Sequence, residues 1–162
     1  MYFRRPMFTP TRLNEIIGES NDCYKIRSRN GRSLEAPVKY ASLSHCWGRS
    51  MPFKLINENL ISCMQEIPLE KLSKVFKDAI GVASRCNISY IWIDSICKYY
   101  TFVWYTSGGN GYRYIQDSVS DWHSESSLMG SVYQHAYLNI PATGFENGLK
   151  GIFVERELEL TF

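Results

Sequence analysis

The chain has 162 residues, of which 44% are apolar, 14% aromatic and 21% charged, with a formal net charge of +2. That aromatic content excludes a disordered tail. The lack of any apolar run near about 20 residues argues against a spanning helix, and no heptad or glycine period supports a coiled coil or fibre. One globular domain is expected, and a domain of this length buries roughly 70% of its unfolded surface without needing disulfides or a metal.

In chain order, residues 1–37 read as an irregular lead-in, because Pro6, Pro10, Gly18, Gly31 and Pro37 interrupt any long element. Thr11 to Ile17 accommodates one short turn or strand. The Asn30-Gly31 turn signal predicts a minor hairpin between Cys23–Ile26 and Ser33–Leu34. Lys25, Arg27, Arg29 and Arg32 read as a solvated loop, since a nucleic-acid binder carries a larger basic stripe; nucleic acid is not an expected partner.

Val38 to Cys46 is the first convincing strand, with Val38, Tyr40, Ser42, Ser44 and Cys46 on one face and Lys39, Ala41, Leu43 and His45 on the other. Glu58 to Glu66 reads as a short helix. Leu69 to Cys86 reads as an amphipathic helix, because Leu72, Val75, Phe76, Ala79, Ile80 and Ala83 follow helical spacing. Ile88 to Asp94 is nearly continuous in apolar character, as a strand buried on both faces is. Lys98 to Arg113 lacks any period and reads as a long excursion, which is uncommon inside a compact domain. Ser118 to His135 reads as a helix, and Tyr137 to Ala142 as a third strand. Residues 38–150 then form the domain and 151–162 a tail. Strand alternating with helix argues for an α/β fold on a parallel sheet with right-handed crossovers.

The five cysteines, Cys23, Cys46, Cys63, Cys86 and Cys97, contain no C-x-x-C pair, so no metal site is expected. Met1 to Pro10 lacks the apolar stretch of a secretory leader. With an odd cysteine count this suggests a reducing, cytoplasmic setting.

In open α/β sheets ligands bind outside the carboxyl ends of the strands. That rule selects Ser44, His45, Cys46, Trp47 and Gly48 after the first strand, Asp94, Ser95 and Cys97 after the second, and Thr143 and Gly144 after the third. His45 and Cys46 point to opposite faces while extended, so they do not form a catalytic pair there. The alternative for both is structural, Cys46 as a small buried hydrophobe and His45 as a satisfied polar residue. Asp94 is open to two readings, a turn cap or a ligand for a ribose or other hydroxyl. Glu125 lies three residues after Trp122 and four before Met129, on the helix face expected to meet the sheet. Desolvation there raises a carboxyl pKa unless a partner is present, which makes Glu125 the catalytic candidate; the alternative is a Glu paired with a buried donor such as His45 or a Trp N–H.

These residues carry a family resemblance. Tyr40–Gly48 (YASLSHCWG) resembles the first signature block of the fungal heterokaryon incompatibility (HET) domain. Phe76-Lys77-Asp78-Ala79-Ile80 with Tyr90–Cys97 is similar to the second block. Asp121-Trp122, Glu125, Met129, Val132-Tyr133, Ala136 and Leu138-Asn139-Ile140 are similar to the third. Pro10-Thr11-Arg12-Leu13 resembles the common entry, and the likeness runs over roughly residues 10 to 150.

The resemblance implies a fungal protein of non-self recognition, a programmed-cell-death effector or signalling module working with protein partners or by self-association. It also implies a flavodoxin-like, three-layer fold akin to Toll/interleukin-receptor-like domains. Some of that group cleave NAD through a glutamate near a helix start. The role then falls on Glu125, with His45, Trp47 and Asp94 shaping the pocket and NAD as the implied cofactor or substrate. Two departures stand out. Family members pass from the cysteine to a glutamine within about three residues, whereas Cys97 and Gln116 are separated by Lys98–Arg113; removing those 16 residues restores the pattern, as a translated short intron would. The chain also ends soon after the third block, which leaves an inactive, truncated copy as a further alternative.

Overall fold

The computed structural model describes residues 8–20, 23–35, 37–45, 53–97, 101–102, 114–115, 119–142 and 151–153. The expected residues Cys46, Trp47, Gly48, Gln116, Thr143 and Gly144, the tail beyond residue 153 and the side chain of Trp122 lie outside the described parts.

The described chain is mixed α/β. Its strands are β1 (Arg12–Ser20), β2 (Cys23–Asn30), β3 (Ala41–His45), β4 (Tyr90–Ile93), β5 (Thr101–Phe102), β6 (Tyr114–Ile115) and β7 (Leu138–Ala142). Its helices are α1 (Asn57–Gln65), α2 (Lys74–Arg85), α3 (Asp94–Cys97) and α4 (Val119–His135). Five strands form one sheet in the order β2-β1-β4-β3-β7, while β5 and β6 pair only with each other.

The three strands expected to be parallel are parallel: β3 pairs with β4 (Ala41↔Ile91 to Leu43↔Ile93) and with β7 (Ala41↔Leu138 to His45↔Ala142). The sheet as a whole is not. β1 runs antiparallel to both β2 and β4, so the expectation of an all-parallel sheet is corrected to a mixed one. The irregular lead-in over residues 1–37 is likewise corrected. Tyr24, Ile26 and Ser28 turn to the interior, while Lys25, Arg27 and Arg29 alternate with them. The period of the basic cluster was a strand signal. Those cations are paired: Lys25 with Glu66 at 3.0 Å, and Arg27 and Arg29 with Glu15 at 2.7 and 3.4 Å. The minor hairpin at Asn30-Gly31 is also replaced. Asn30 accepts from the Arg32 N–H and caps a 3-10 turn, Gly31–Ser33. A side chain at Gly31 would collide with the Pro10 carbonyl, so glycine there permits a close backbone approach rather than a hairpin turn.

Both faces of the sheet are covered. On one, Ala41, Leu43, Ile91 and Ile93 pack with Val75, Phe76, Ala79, Ile80 and Ala83 of α2 and with Cys63 of α1. On the other, Leu13, Tyr40, Trp92 and Cys97 pack with Val132 of α4. Tyr40 donates its hydroxyl to the Val132 carbonyl at 2.7 Å, which ties α4 to β3. β4 supplies alternate residues to the two cores, Ile91 and Ile93 to one and Tyr90 and Trp92 to the other, the period-2 geometry of an extended chain. No helix among the described residues is long and apolar enough to cross a membrane.

Candidate functional site

The site is built where β3 and β4 end and α3 begins. Ile93 is the last residue of the buried strand, and the chain turns at once into α3, all four residues of which, Asp94, Ser95, Ile96 and Cys97, are buried. Leu55 N–H donates to the Ser95 carbonyl at 3.3 Å, anchoring this turn to the segment before α1.

Cys97 is held rather than presented. Its sulfur accepts from Asn14 Nδ2 at 3.0 Å and from the Ile93 N–H at 3.4 Å. It is 1% exposed, and burial pushes its thiol up to about 12. A nucleophilic cysteine needs an accessible, ionisable thiol, so Cys97 is a packing and hydrogen-bonding group. Its carbonyl accepts from Arg12 Nε at 2.7 Å.

Glu125 lies on α4 and is 5% exposed. Its Oε1 is 4.0 Å from Arg12 Nη2, and both side chains are largely removed from solvent. The sequence left its partner open between His45 and an indole N–H; the described partner is Arg12. Burying a carboxylate is costly unless a charge answers it, and the guanidinium does.

Ser44 and His45 are the last two residues of β3, at the carboxyl end of the parallel strands. Ser44 is exposed and His45 half-buried. The imidazole stands edge-on to Phe76 of α2, with centroids 5.0 Å apart. Burial lowers its pKa, and the nearby Asp94 carboxylate partly opposes that. On the α4 side, Tyr133 packs edge-on against Trp92 at 5.5 Å. Its phenol is raised by burial and by the charge of Asp94, with Ser44 as a hydrogen-bonding neighbour that lowers it. Asp94, 6% exposed, therefore influences His45, Tyr133 and Cys97 from one central position.

Of the expected residues, the structure thus brings Ser44, His45, Asp94, Ser95, Cys97 and Glu125 to one end of the sheet. It adds three that sequence reasoning did not assign to the site: Arg12, Asn14 and Tyr133. Arg12 was legible only as part of an entry motif, and Tyr133 only as core. Asn14, wholly buried between Leu13 and the half-buried Glu15, carried a faint signal as a polar residue in a strand-like run.

Two carboxylates, a guanidinium, an imidazole and a phenol thus gather at one end of the sheet, on both of its faces. In the comparison with protein families, residues 40–98 match the family described as Heterokaryon incompatibility protein (HET). That stretch runs from Tyr40 at the start of β3 to the residue after α3, and so spans both strand ends of the site. Neither the curated proteins nor the solved structures yield a match to the chain.

Proposed function

We propose, on the premise that residues 40–98 carry the heterokaryon incompatibility (HET) signature, that this chain is an effector domain of fungal non-self recognition which triggers programmed cell death. The family match supports the reading, because its span coincides with the strand ends where the polar side chains gather. The parallel β4-β3-β7 core with helices on both faces supports a likeness to Toll/interleukin-receptor-like domains. The antiparallel hairpin β1–β2 is this chain's departure from a flavodoxin-like sheet. The unpaired cysteines among the described residues, Cys63, Cys86 and Cys97, fit a cytoplasmic setting.

One observation favours an enzymatic form of this reading over a purely scaffolding one. Glu125 is a buried carboxylate held beside Arg12 at the carboxyl end of the sheet, where α/β folds bind ligands. The proposed chemistry is hydrolysis of NAD or a related nucleotide, with Glu125 as the working carboxylate and Asp94 and His45 lining the pocket.

The test is expression of the full chain and of Glu125→Gln in a fungal host, scoring cell death and NAD level together, with thermal unfolding of the purified proteins as the control for folding. The enzymatic reading expects a folded E125Q protein to lose both NAD depletion and killing. A folded E125Q protein that kills as well as the parent removes the enzymatic reading and leaves the scaffold. A parent chain that folds and kills nothing sinks the effector reading altogether.

A further inference from the structure

We infer that Arg12 is the positioning residue of the site, setting the place of the Glu125 carboxylate by bridging it to the terminal carbonyl of α3. This deepens the reading above and rests on Glu125 being the group that works there.

The strand polarity brings Arg12 into place. β1 runs antiparallel to β4 with Asn14 opposite Ile91, so the residues preceding Asn14 lie toward the carboxyl end of β4. A parallel neighbour would have delivered its last residues to this end, not its first. Arg12 opens β1 and so arrives beside the turn into α3.

Among the described residues the guanidinium meets a hydrogen-bond acceptor and a counter-charge. Nε donates to the Cys97 carbonyl at 2.7 Å, and Nη2 lies 4.0 Å from Glu125 Oε1. The first of these is a fixed point, because Cys97 is itself held by Asn14 and by the Ile93 N–H. Arg12 is thus keyed to a rigid turn with one edge of its fork and reaches the α4 carboxylate with another. The side chains of the pair are 12% and 6% exposed, so the attraction is little screened by solvent. A planar guanidinium can serve two acceptors in a set geometry, whereas a lysine ammonium is a point charge on a flexible stem. The hydrogen bond to the Cys97 carbonyl fixes where the guanidinium charge stands, and that charge, 4.0 Å away, draws the Glu125 carboxylate to its place.

The experiment uses the full chain with Arg12→Lys, Arg12→Gln, Glu125→Gln and the double variant Arg12→Gln/Glu125→Gln. Thermal midpoints are read for all, with kcat and KM for NAD as the substrate probe. Arg12→Lys is expected to stay folded with a midpoint near the parent's and little change in KM, while kcat falls on the order of 10²-fold, the cost of a misplaced reacting group. The double variant is expected to lose less of the midpoint than the two single losses combined, because removing one partner strands the other. An R12K protein with the parent's kcat overturns the proposal, and so does strict additivity of the midpoint losses. If the parent consumes no NAD, the hydrolase reading fails separately. Arg12 is then judged on cell killing by R12K and on the same midpoint cycle. Killing at the parent's level overturns the proposal; a folded R12K that does not kill, with non-additive losses, supports it.

Discussion

His45 shows how a single side chain at the strand end couples the site to pH. Its pKa is lowered in the folded chain, first by burial, with Asp94 opposing. The unfolded chain therefore takes up this proton near the ordinary value of about 6.5, while the folded chain resists it. The stability His45 contributes is present above about pH 6.5 and is lost as pH falls from there toward the lower folded value. Equilibrium denaturation of the parent and of His45→Gln, from pH 8 to 5, should show a steeper acid loss in the parent. Identical acid limbs would show that His45 is not protected from the proton. Cys97 is the opposite case, a group whose ionisation is suppressed so far that neutral pH does not reach it. Its sequence neighbourhood, Asp94-Ser95-Ile96-Cys97, reads as chemistry. The hydrogen bonds from Asn14 and Ile93 show that much of it is anchorage for the turn.

At the scale of elements, α2 is the helix whose sequence and structure agree most closely. Its apolar face is buried at Val75, Phe76, Ala79, Ile80 and Ala83, the spacing that predicted it. Its start is set by Ser73, whose hydroxyl accepts from the Phe76 N–H at 3.3 Å. The Leu69–Lys71 stretch that the sequence merged into the helix is a separate 3-10 turn. Past its end, Asn87 takes a left-handed φ of 56°, a conformation asparagine adopts more readily than most residues. Ser73→Ala should cost about 1 kcal/mol of unfolding free energy, the usual value of an N-cap. A denaturant midpoint unchanged from the parent would mean that the cap contributes nothing here. The sheet's edges are managed as well. The Ile26 carbonyl of β2 accepts from the Ile67 N–H at 2.7 Å, and β7 carries Pro141, which has no N–H to offer. Both features oppose edge-to-edge pairing with another chain. Self-association, if it serves the effector role, would therefore run through side-chain surfaces rather than through strand addition.

At the scale of the whole molecule, the segment between α3 and α4 is where the sequence departs most from the family pattern. Within it, β5 pairs with β6 (Thr101↔Ile115, Phe102↔Tyr114), and neither strand joins the five-stranded sheet. Residues 101–102 and 114–115 therefore stand side by side, apart from the five-stranded sheet. A chain lacking residues 98–113 would join Cys97 to Tyr114 and enter α4 after a connection of ordinary length. We predict that this variant unfolds cooperatively with a midpoint at or above the parent's, measured by circular dichroism. Failure to fold would show that the segment belongs to the domain, and would remove the intron interpretation with it.

The three parallel strands, the four-turn and three-turn helices between them and the residues Ser44, His45, Asp94 and Glu125 were all legible in the chain, because each depends on local periodicity or on the rule that ligands meet strand ends. The lead-in was not legible. Its alternation of Tyr24, Ile26 and Ser28 with Lys25, Arg27 and Arg29 was present, but prolines and glycines nearby outweighed it; Pro10 and Gly31 proved to flank strands, and Gly18 to sit within β1 at a shift of register. Strand polarity was beyond reach for a different reason. Nothing local distinguishes a strand that will run antiparallel to a distant neighbour, since pairing is settled by contacts between residues such as Asn14 and Ile91, 77 positions apart. The sequence by itself placed Ser44, His45 and Asp94 at the ends of strands and Glu125 on a helix face toward the sheet. Only the tertiary structure decided that Arg12 joins them, because the reversal of β1 sets its first residue beside the last of β4.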